Sequence, residues 1–208
     1  MKTNNEKMRR ILKERMDEEL FIHSLGVEEA AYNLAALYGI DSQKASLAGL
    51  LHDYAKGLPA KQLCRIASEY NLADDISRQE PALLHAPVGA WLLKHELGID
   101  DQEVLEAIRV HTTGFPGMSP LSKIVYLADC LEPGRNYPGV KELRAIARRD
   151  LNQALLIAVD RTIKHIIDRG KIIHPVSILF RNSLILSKKN NQEIYNHEVW
   201  NKKTKSSS

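Results

Sequence analysis

The sequence has few residues of the kinds that mark secreted, membrane-spanning or redox proteins. Only two of its 208 residues are cysteines, Cys64 and Cys130, and they are too far apart for a CxxC motif. Two isolated thiols are typical of proteins in a reducing compartment, so we expect a cytoplasmic protein. No apolar run approaches the roughly 18 residues that a membrane-spanning helix needs. The charged N-terminal segment has no apolar core of a secretory signal, and we expect no membrane partner.

Alternating apolar and polar residues, the pattern of a half-buried β-strand, are also missing. Apolar residues instead recur with helical spacing, and the segments HTTGFPGMSP and EPGRNYPG break this pattern with glycine and proline. The pattern predicts an all-α, bundle-like domain of about nine helices. We place the first helix at about residues 5–19 and the second at about residues 27–39.

The net charge of +3 comes from the C-terminal segment. Residues 188–208 contain five lysines and two glutamates, with few apolar side chains to bury. We therefore predict a polar, basic and flexible tail over 188–208, after a single domain over 1–187. Because the domain itself carries almost no net charge, we expect no nucleic-acid partner.

Four of the eight histidines and two aspartates stand within or at the ends of apolar helical segments. Isolated imidazoles and carboxylates are costly to bury there unless they are paired or coordinated. One or more metal ions would satisfy several of them at once, and such ligands suit iron, manganese, zinc or nickel. The candidate ligands are His23, which we place at a helix junction, the adjacent pair His52 and Asp53, His85, His111 and Asp129.

The order of these residues, H…HD…D, resembles the signature of the HD superfamily of metal-dependent phosphohydrolases. His85 and His111 resemble the additional ligands of its members with a second metal site. The segments HDYAKG, LLHAPVGAWL and HTTGFPGMSPLSKIVYLADCLEPGRNYPGV extend the resemblance to the YqeK family, over about residues 8–186. It implies an HD-domain helical bundle that hydrolyses diadenosine tetraphosphate symmetrically, giving two ADP, at a di-iron type site.

The resemblance also implies a role for each ligand. His23, His52, Asp53 and Asp129 would bind a first metal ion, and Asp53 would bridge to a second ion held by His85 and His111. Two ions about 3.5–4 Å apart activate a water as hydroxide for attack on phosphorus. Asp53 is therefore a predicted catalytic residue as well as a ligand. We expect two divalent ions, with iron favoured over manganese, nickel or zinc.

A polyphosphate substrate needs cations in addition to the metals. Lys56 follows His52 by four residues, which on a helix would place both on one face, and we predict that it binds phosphate and takes part in catalysis. Arg135 offers a guanidinium fork that suits phosphate. Glu132 would either orient a ligand or hold its own loop. The other predicted substrate-binding residues lie in the two glycine-rich and proline-rich loops: Thr112, Thr113, Gly114, Phe115 and Tyr137.

Two alternatives remain open. The chain can be another HD phosphohydrolase that acts on a nucleotide, an alarmone or a nucleotide related to NAD. It can also be a non-catalytic HD module that binds a nucleotide. Under each of these functions we expect a homodimer, the commonest assembly of soluble oligomers.

Overall fold

The protein is helical throughout the part that the computed structural model describes, residues 2–189. This part contains eleven α-helices and one short 3₁₀ helix, with no strand, so the all-α prediction is confirmed with more helices than expected. In chain order the helices are α1 (Lys2–Arg15), α2 (Glu18–Leu37), α3 (Ser42–Leu51), α4 (Ala60–Glu69), α5 (Asp75–Gln79), the 3₁₀ helix (Pro81–Leu84), α6 (His85–Leu97), α7 (Gln102–Val110), α8 (Pro120–Leu131), α9 (Val140–Ala147), α10 (Leu151–Asp168) and α11 (175–189).

Aspartate side chains begin several of the helices. Asp17 precedes α2, Asp41 precedes α3, Asp101 precedes α7 and Asp150 precedes α10, and each carboxylate accepts a hydrogen bond from a backbone N–H of the first turn. Such caps satisfy N–H groups that have no partner within the helix, and each stabilises the helix by about 1 kcal/mol. The helix starts are therefore encoded locally in the sequence.

The first two helices differ from the prediction. α1 ends at Arg15, and α2 runs without a break from Glu18 to Leu37, where we expected one helix over 5–19 and a second over 27–39. The cap at Asp17 starts a new helix, and Gly26 lies inside it. A glycine weakens a helix by about 1 kcal/mol relative to alanine but does not end it.

Two short elements were not predicted. α5 has five residues and the 3₁₀ helix has four. Neither is long enough to show an apolar period. Together they form the connection that leads the chain from α4 to the first residue of α6.

The helices pack around an apolar core whose buried side chains range from Met8 on α1 to Leu184 on α11. α2 packs along α3 and α8, and α7 contacts α3, α6 and α8. α2 and α3 approach each other closely at Gly49. A Cβ atom there would lie 2.8 Å from the carbonyl oxygen of Val27 and 3.0 Å from the Cβ of Ala31. Glycine at this position lets the end of α3 reach the middle of α2.

Among the helices described, none has both the length and the apolar character needed to cross a membrane. Lys188 and Lys189, the first residues of the predicted tail, belong to α11. The tail from 190 to 208 lies outside the described residues, so its flexibility and the domain boundary at 187 stay predictions.

We expect Gly49→Ala to destabilise the fold by about 1–3 kcal/mol, because the added methyl group overpacks the contact between α2 and α3. Urea denaturation of the full-length variant measures this as a lower midpoint. Gly89→Ala is the matched control, since a Cβ at this helical glycine would lie 3.6 Å from Ala55, an ordinary contact. Equal midpoints for the two variants would contradict the close packing at Gly49.

Candidate metal centre

The six predicted metal ligands come together at one place, although five different helices supply them. His23 lies within α2 and Asp129 within α8, whereas the others lie at helix ends. His52 and Asp53 are completely buried, and His85 and His111 are nearly so. The positions at the helix ends are His52 at the end of α3, followed by Asp53, then His85 at the start of α6 and His111 at the end of α7.

One expectation about His23 was wrong. It does not lie at a helix junction, because α2 is continuous through His23 and Gly26. Its ring nevertheless faces the other ligands, because the face of α2 that carries it packs against α3 and α8. Its side chain keeps only 13% of its exposure.

The Asp53 carboxylate lies at the centre of the cluster, with each oxygen facing a different pair of imidazoles. Its Oδ2 is 3.1 Å from Nε2 of His52 and 3.6 Å from Nε2 of His23. Its Oδ1 is 3.1 Å from Nε2 of His85 and 3.5 Å from Nε2 of His111. Asp129 completes the first group, since its Oδ1 is 3.1 Å from Nε2 of His23. This is the geometry of a carboxylate between two cation sites.

Three of the imidazoles are held by carbonyl oxygens one turn earlier in the chain. Nδ1 of His52 is 2.7 Å from the oxygen of Gly49, Nδ1 of His85 is 2.6 Å from that of Ala82, and Nδ1 of His111 is 2.7 Å from that of residue 108. A ring nitrogen that faces a carbonyl oxygen carries the proton. In a neutral imidazole the lone pair then lies on Nε2, which is the arrangement of a metal-bound histidine.

The lone pairs of these imidazole nitrogens lie close together and repel one another unless a cation lies between them. Nε2 of His85 and Nε2 of His111 are 3.1 Å apart, and the same atoms of His23 and His52 are 3.3 Å apart. Among the described residues, the buried Oδ1 of Asp53 has no hydrogen-bond partner. Two sets within the cluster have ligand atoms close enough to share an ion: His23, His52 and Asp129, and His52, Asp53 and His111. The donor set fits divalent metal ions with imidazole and carboxylate ligands.

The carboxylates are ionised despite their surroundings. Burial would raise the pKa of Asp53, but the imidazoles of His52, His111 and His85 around the carboxylate hold this pKa well below its usual range. Burial also opposes ionisation of Asp129, yet the neighbouring imidazoles of His23 and His52 lower its pKa. Both side chains thus offer negative charge to a cation near neutral pH.

Lys56 contacts the centre from a turn, and not from the helical face that was predicted. Residues 52–57 form turns rather than a continuation of α3, so Lys56 does not share a helical face with His52. Its Nζ instead donates to Oδ2 of Asp53 at 2.7 Å. The turn is held from outside by Arg15, whose guanidinium lies 4.0 Å from the centroid of the Tyr54 ring and donates to the Tyr54 carbonyl.

Arg135 and Tyr137 lie beside the His23 side of the centre. Arg135 donates from Nη2 to Oδ1 of Asp129 at 2.7 Å. Tyr137 donates its hydroxyl to the carbonyl oxygen of Cys130. With Ile22 and His23 they line an open cleft of about 630 Å³ between α2 and the loop after α8.

The four predicted residues after His111 line a second, smaller cleft of about 280 Å³: Thr112, Thr113, Gly114 and Phe115. Part of this loop also supports α11. The Thr113 carbonyl accepts a hydrogen bond from Ser177, and a Cβ on Gly114 would collide with the ring of Phe180. Their role in substrate binding remains a prediction.

The chain is similar in sequence to proteins of known families. The sequence model of the HD domain family matches residues 20–134, which include all six predicted ligands. A symmetrical bis(5'-nucleosyl)-tetraphosphatase of Bacillus subtilis is 39% identical over 182 residues, or 88% of this chain and 98% of the relative. Its counterpart in Halalkalibacterium halodurans is 41% identical over 186 residues, or 89% of this chain and 100% of the relative.

A solved structure has the same fold. The crystal structure of a predicted HD superfamily hydrolase involved in NAD metabolism, from Clostridium acetobutylicum, superposes with a TM-score of 0.85. The two sequences are 44% identical, and the match covers 88% of this chain and 97% of that chain. At this identity the likeness extends beyond the arrangement of helices.

We expect Asp53→Asn to lower the metal content of the purified protein from two ions to at most one, because the amide removes the charge between the two groups of imidazoles. Elemental analysis of the full-length chain, with circular dichroism as a check on helicity, measures this. His95→Ala is the control, because His95 is exposed and its ring stacks on Trp91 at 4.1 Å. Loss of metal in His95→Ala, or full metal content in Asp53→Asn, would show that the ligands are assigned wrongly.

Proposed function

The chain belongs to the HD domain family, and on this premise we propose that it hydrolyses diadenosine tetraphosphate symmetrically to two ADP. The observation that carries the proposal is the Asp53 carboxylate, whose two oxygens face separate pairs of imidazoles. The names of the relatives in B. subtilis and H. halodurans support the reaction and its substrate class.

The proposed centre holds two divalent ions. The first would be bound by His23, His52, Asp53 and Asp129, and the second by Asp53, His85 and His111. Two ions bound there would neutralise phosphoryl oxygens and lower the pKa of a water molecule towards neutrality. The ionised carboxylates keep the centre negative, and the buried helix ends hold the imidazoles in one orientation.

Lys56 and Arg135 are proposed to bind the phosphate chain. Each places a cation beside a ligand carboxylate, 2.7 Å from Asp53 and 2.7 Å from Asp129 respectively. Their side chains keep about two-fifths of their exposure, 42% and 38%, so both can also reach a ligand from solvent. A flexible ammonium and a planar guanidinium fork suit the oxygens of neighbouring phosphates.

The cleft beside His23 is the proposed site for one nucleoside. Ile22 offers an apolar surface that is 59% exposed, and Tyr137 lies across the cleft from it. Arg161 lies 5.8 Å from the centroid of the Tyr137 ring. Thr112, Thr113, Gly114 and Phe115 are proposed to contact the other half of the substrate, on the side of His111.

Iron, a cytoplasmic location and a homodimer complete the proposal. Iron is compatible with the nitrogen and oxygen ligands of the centre. Cys64 and Cys130 are both free thiols, which supports a reducing compartment. A homodimer is proposed as the usual assembly of soluble oligomers, and size-exclusion chromatography with light scattering tests it.

A second candidate is hydrolysis of a nucleotide related to NAD. The solved C. acetobutylicum relative favours it, since that protein is described as involved in NAD metabolism. A panel of dinucleoside polyphosphates, mononucleotides and pyridine nucleotides separates the two candidates by their relative kcat/KM.

Product analysis tests the proposed reaction. The full-length protein is loaded with Fe²⁺ under reducing conditions and incubated with diadenosine tetraphosphate, and the products are resolved by ion-exchange chromatography. ADP as the sole product is the expected result. ATP with AMP would mean that a different phosphorus is attacked, and no product from protein with bound metal would overturn the proposed substrate.

We expect Lys56→Ala to lower kcat/KM by about 10-fold or more, the typical effect of losing a hydrogen bond to a charged group, with both metal ions retained. Steady-state kinetics and elemental analysis of the same preparation measure the two effects. Lys61→Ala, which removes an exposed lysine on α4, is the control. An unchanged kcat/KM in Lys56→Ala would show that this lysine has a purely structural role.

A further inference from the structure

His23 differs from the other three histidines of the centre in what holds its ring. Its Nδ1 faces the carboxylate oxygen Oε1 of Glu132 at 3.3 Å, and not a backbone carbonyl. The reason is its place in the fold. His52 and His111 follow the last turn of a helix, where carbonyl oxygens lack the helical N–H donor four residues later in the chain. His23 lies within α2, where the carbonyl oxygens are already used in helical hydrogen bonds.

Glu132 is itself held in one orientation. Its residue is 5% exposed, and its Oε2 accepts a hydrogen bond from the backbone N–H of Gly134 at 2.5 Å. Arg144 donates to the Glu132 carbonyl at 2.7 Å, which fixes the backbone behind the carboxylate. Arg135 lies 3.6 Å from Oε1 and adds positive charge beside it.

Gly26 provides the space that this carboxylate occupies. It lies three residues after His23, on the same face of α2. A Cβ at this position would lie 2.6 Å from Oε2 of Glu132 and 3.4 Å from its Cβ and Cδ. Because hydrogen bonds and burial restrain Glu132, even a methyl group at position 26 must displace the carboxylate from the His23 ring.

We propose that Glu132 is a positioning residue for the metal site of His23, and that Gly26 leaves the room it needs. The carboxylate accepts the proton of Nδ1 and directs Nε2 towards the ion shared with His52 and Asp129. The inference rests on the metal centre of the proposed function and adds a residue that is not a ligand. Carboxylate partners of this kind typically change metal affinity by about 10–100-fold when they are lost.

Glutamine cannot replace Glu132, although it has nearly the same shape. The two oxygens of Glu132 accept from two donors, Nδ1–H of His23 and N–H of Gly134. An amide has only one oxygen, so its NH₂ group must face one of these donors. If NH₂ faces His23, the ring has to accept at Nδ1, and the proton moves to the nitrogen that would bind the metal.

The test is a titration of the full-length, metal-free protein with Mn²⁺, in which electron paramagnetic resonance measures the free ion. For the unchanged protein we expect two ions per chain. For Glu132→Gln we expect one site to weaken by about 10–100-fold and the other to keep its affinity. Glu28→Gln is the matched control. Glu28, like Glu132, is a buried glutamate, and its carboxylate accepts hydrogen bonds from Arg9 and Ser46.

The outcomes separate this inference from the proposed function. If the unchanged protein binds two ions and Glu132→Gln binds both as tightly, the inference is wrong while the metal centre stands. Equal weakening of both sites, or the same loss in Glu28→Gln, would show general distortion and would also overturn it. If the unchanged protein binds no Mn²⁺, both the inference and the metal centre of the proposed function fail.

Gly26→Ala gives a second, independent test. Alone, it should weaken the same single site as Glu132→Gln. In a chain that already carries Glu132→Ala it should have no further effect, because the carboxylate that it displaces is gone and the contact with the remaining Cβ, at 3.4 Å, is an ordinary one. An additive loss in the double variant would mean that Gly26 acts on His23 by another route and would overturn the part of the proposal that concerns Gly26.

Discussion

The buried negative charge of Asp53 is the constraint on which the rest of the structure depends. An ionised carboxylate in an apolar interior costs several kcal/mol unless it is compensated, and this one lies completely inside the helical core. The fold compensates it with imidazoles on both sides and with Lys56 at the edge. The packing of α2, α3, α6, α7 and α8 brings these groups into contact, so core and centre form one structure.

Helix ends do much of the positioning. The chain passes from α3 into the turn at Asp53, from the 3₁₀ helix into α6, and from α7 into its loop within a few ångströms of one another. Backbone carbonyl groups at these places orient three of the imidazoles. The ends would otherwise need solvent or capping side chains. The orientation of these three imidazoles therefore follows from secondary structure, without a separate set of supporting side chains.

The region around His23 is built differently and is also the most open part of the centre. Here a side-chain carboxylate replaces the backbone carbonyl, and a helical glycine makes room for it. The same loop contributes Arg135 and Tyr137 to the cleft next to His23. Support of one metal ligand and the lining of the proposed nucleoside cleft are thus combined in a single short loop.

Much of the fold and the six polar residues of the cluster could be predicted from the sequence. The helical period, the aspartate caps and the unusual placement of six polar residues in apolar segments are local features, and all six residues do meet in the structure. The course of the chain near His23 could not be predicted in this way. In the sequence, a glycine such as Gly26 is also typical of a helix end. Only its contact with Glu132 in the folded chain explains a glycine inside α2.

The sequence by itself determined the helical class and the set of polar residues predicted to bind metal, because these depend on side-chain chemistry and on neighbours within a turn or two. Tertiary structure alone decided which oxygen of Asp53 faces which imidazoles and that Lys56 contacts Asp53 from a turn. It also decided that the loop after His111 supports α11. These relations join residues far apart in the chain, and their distances are set by helix packing, which no local pattern records.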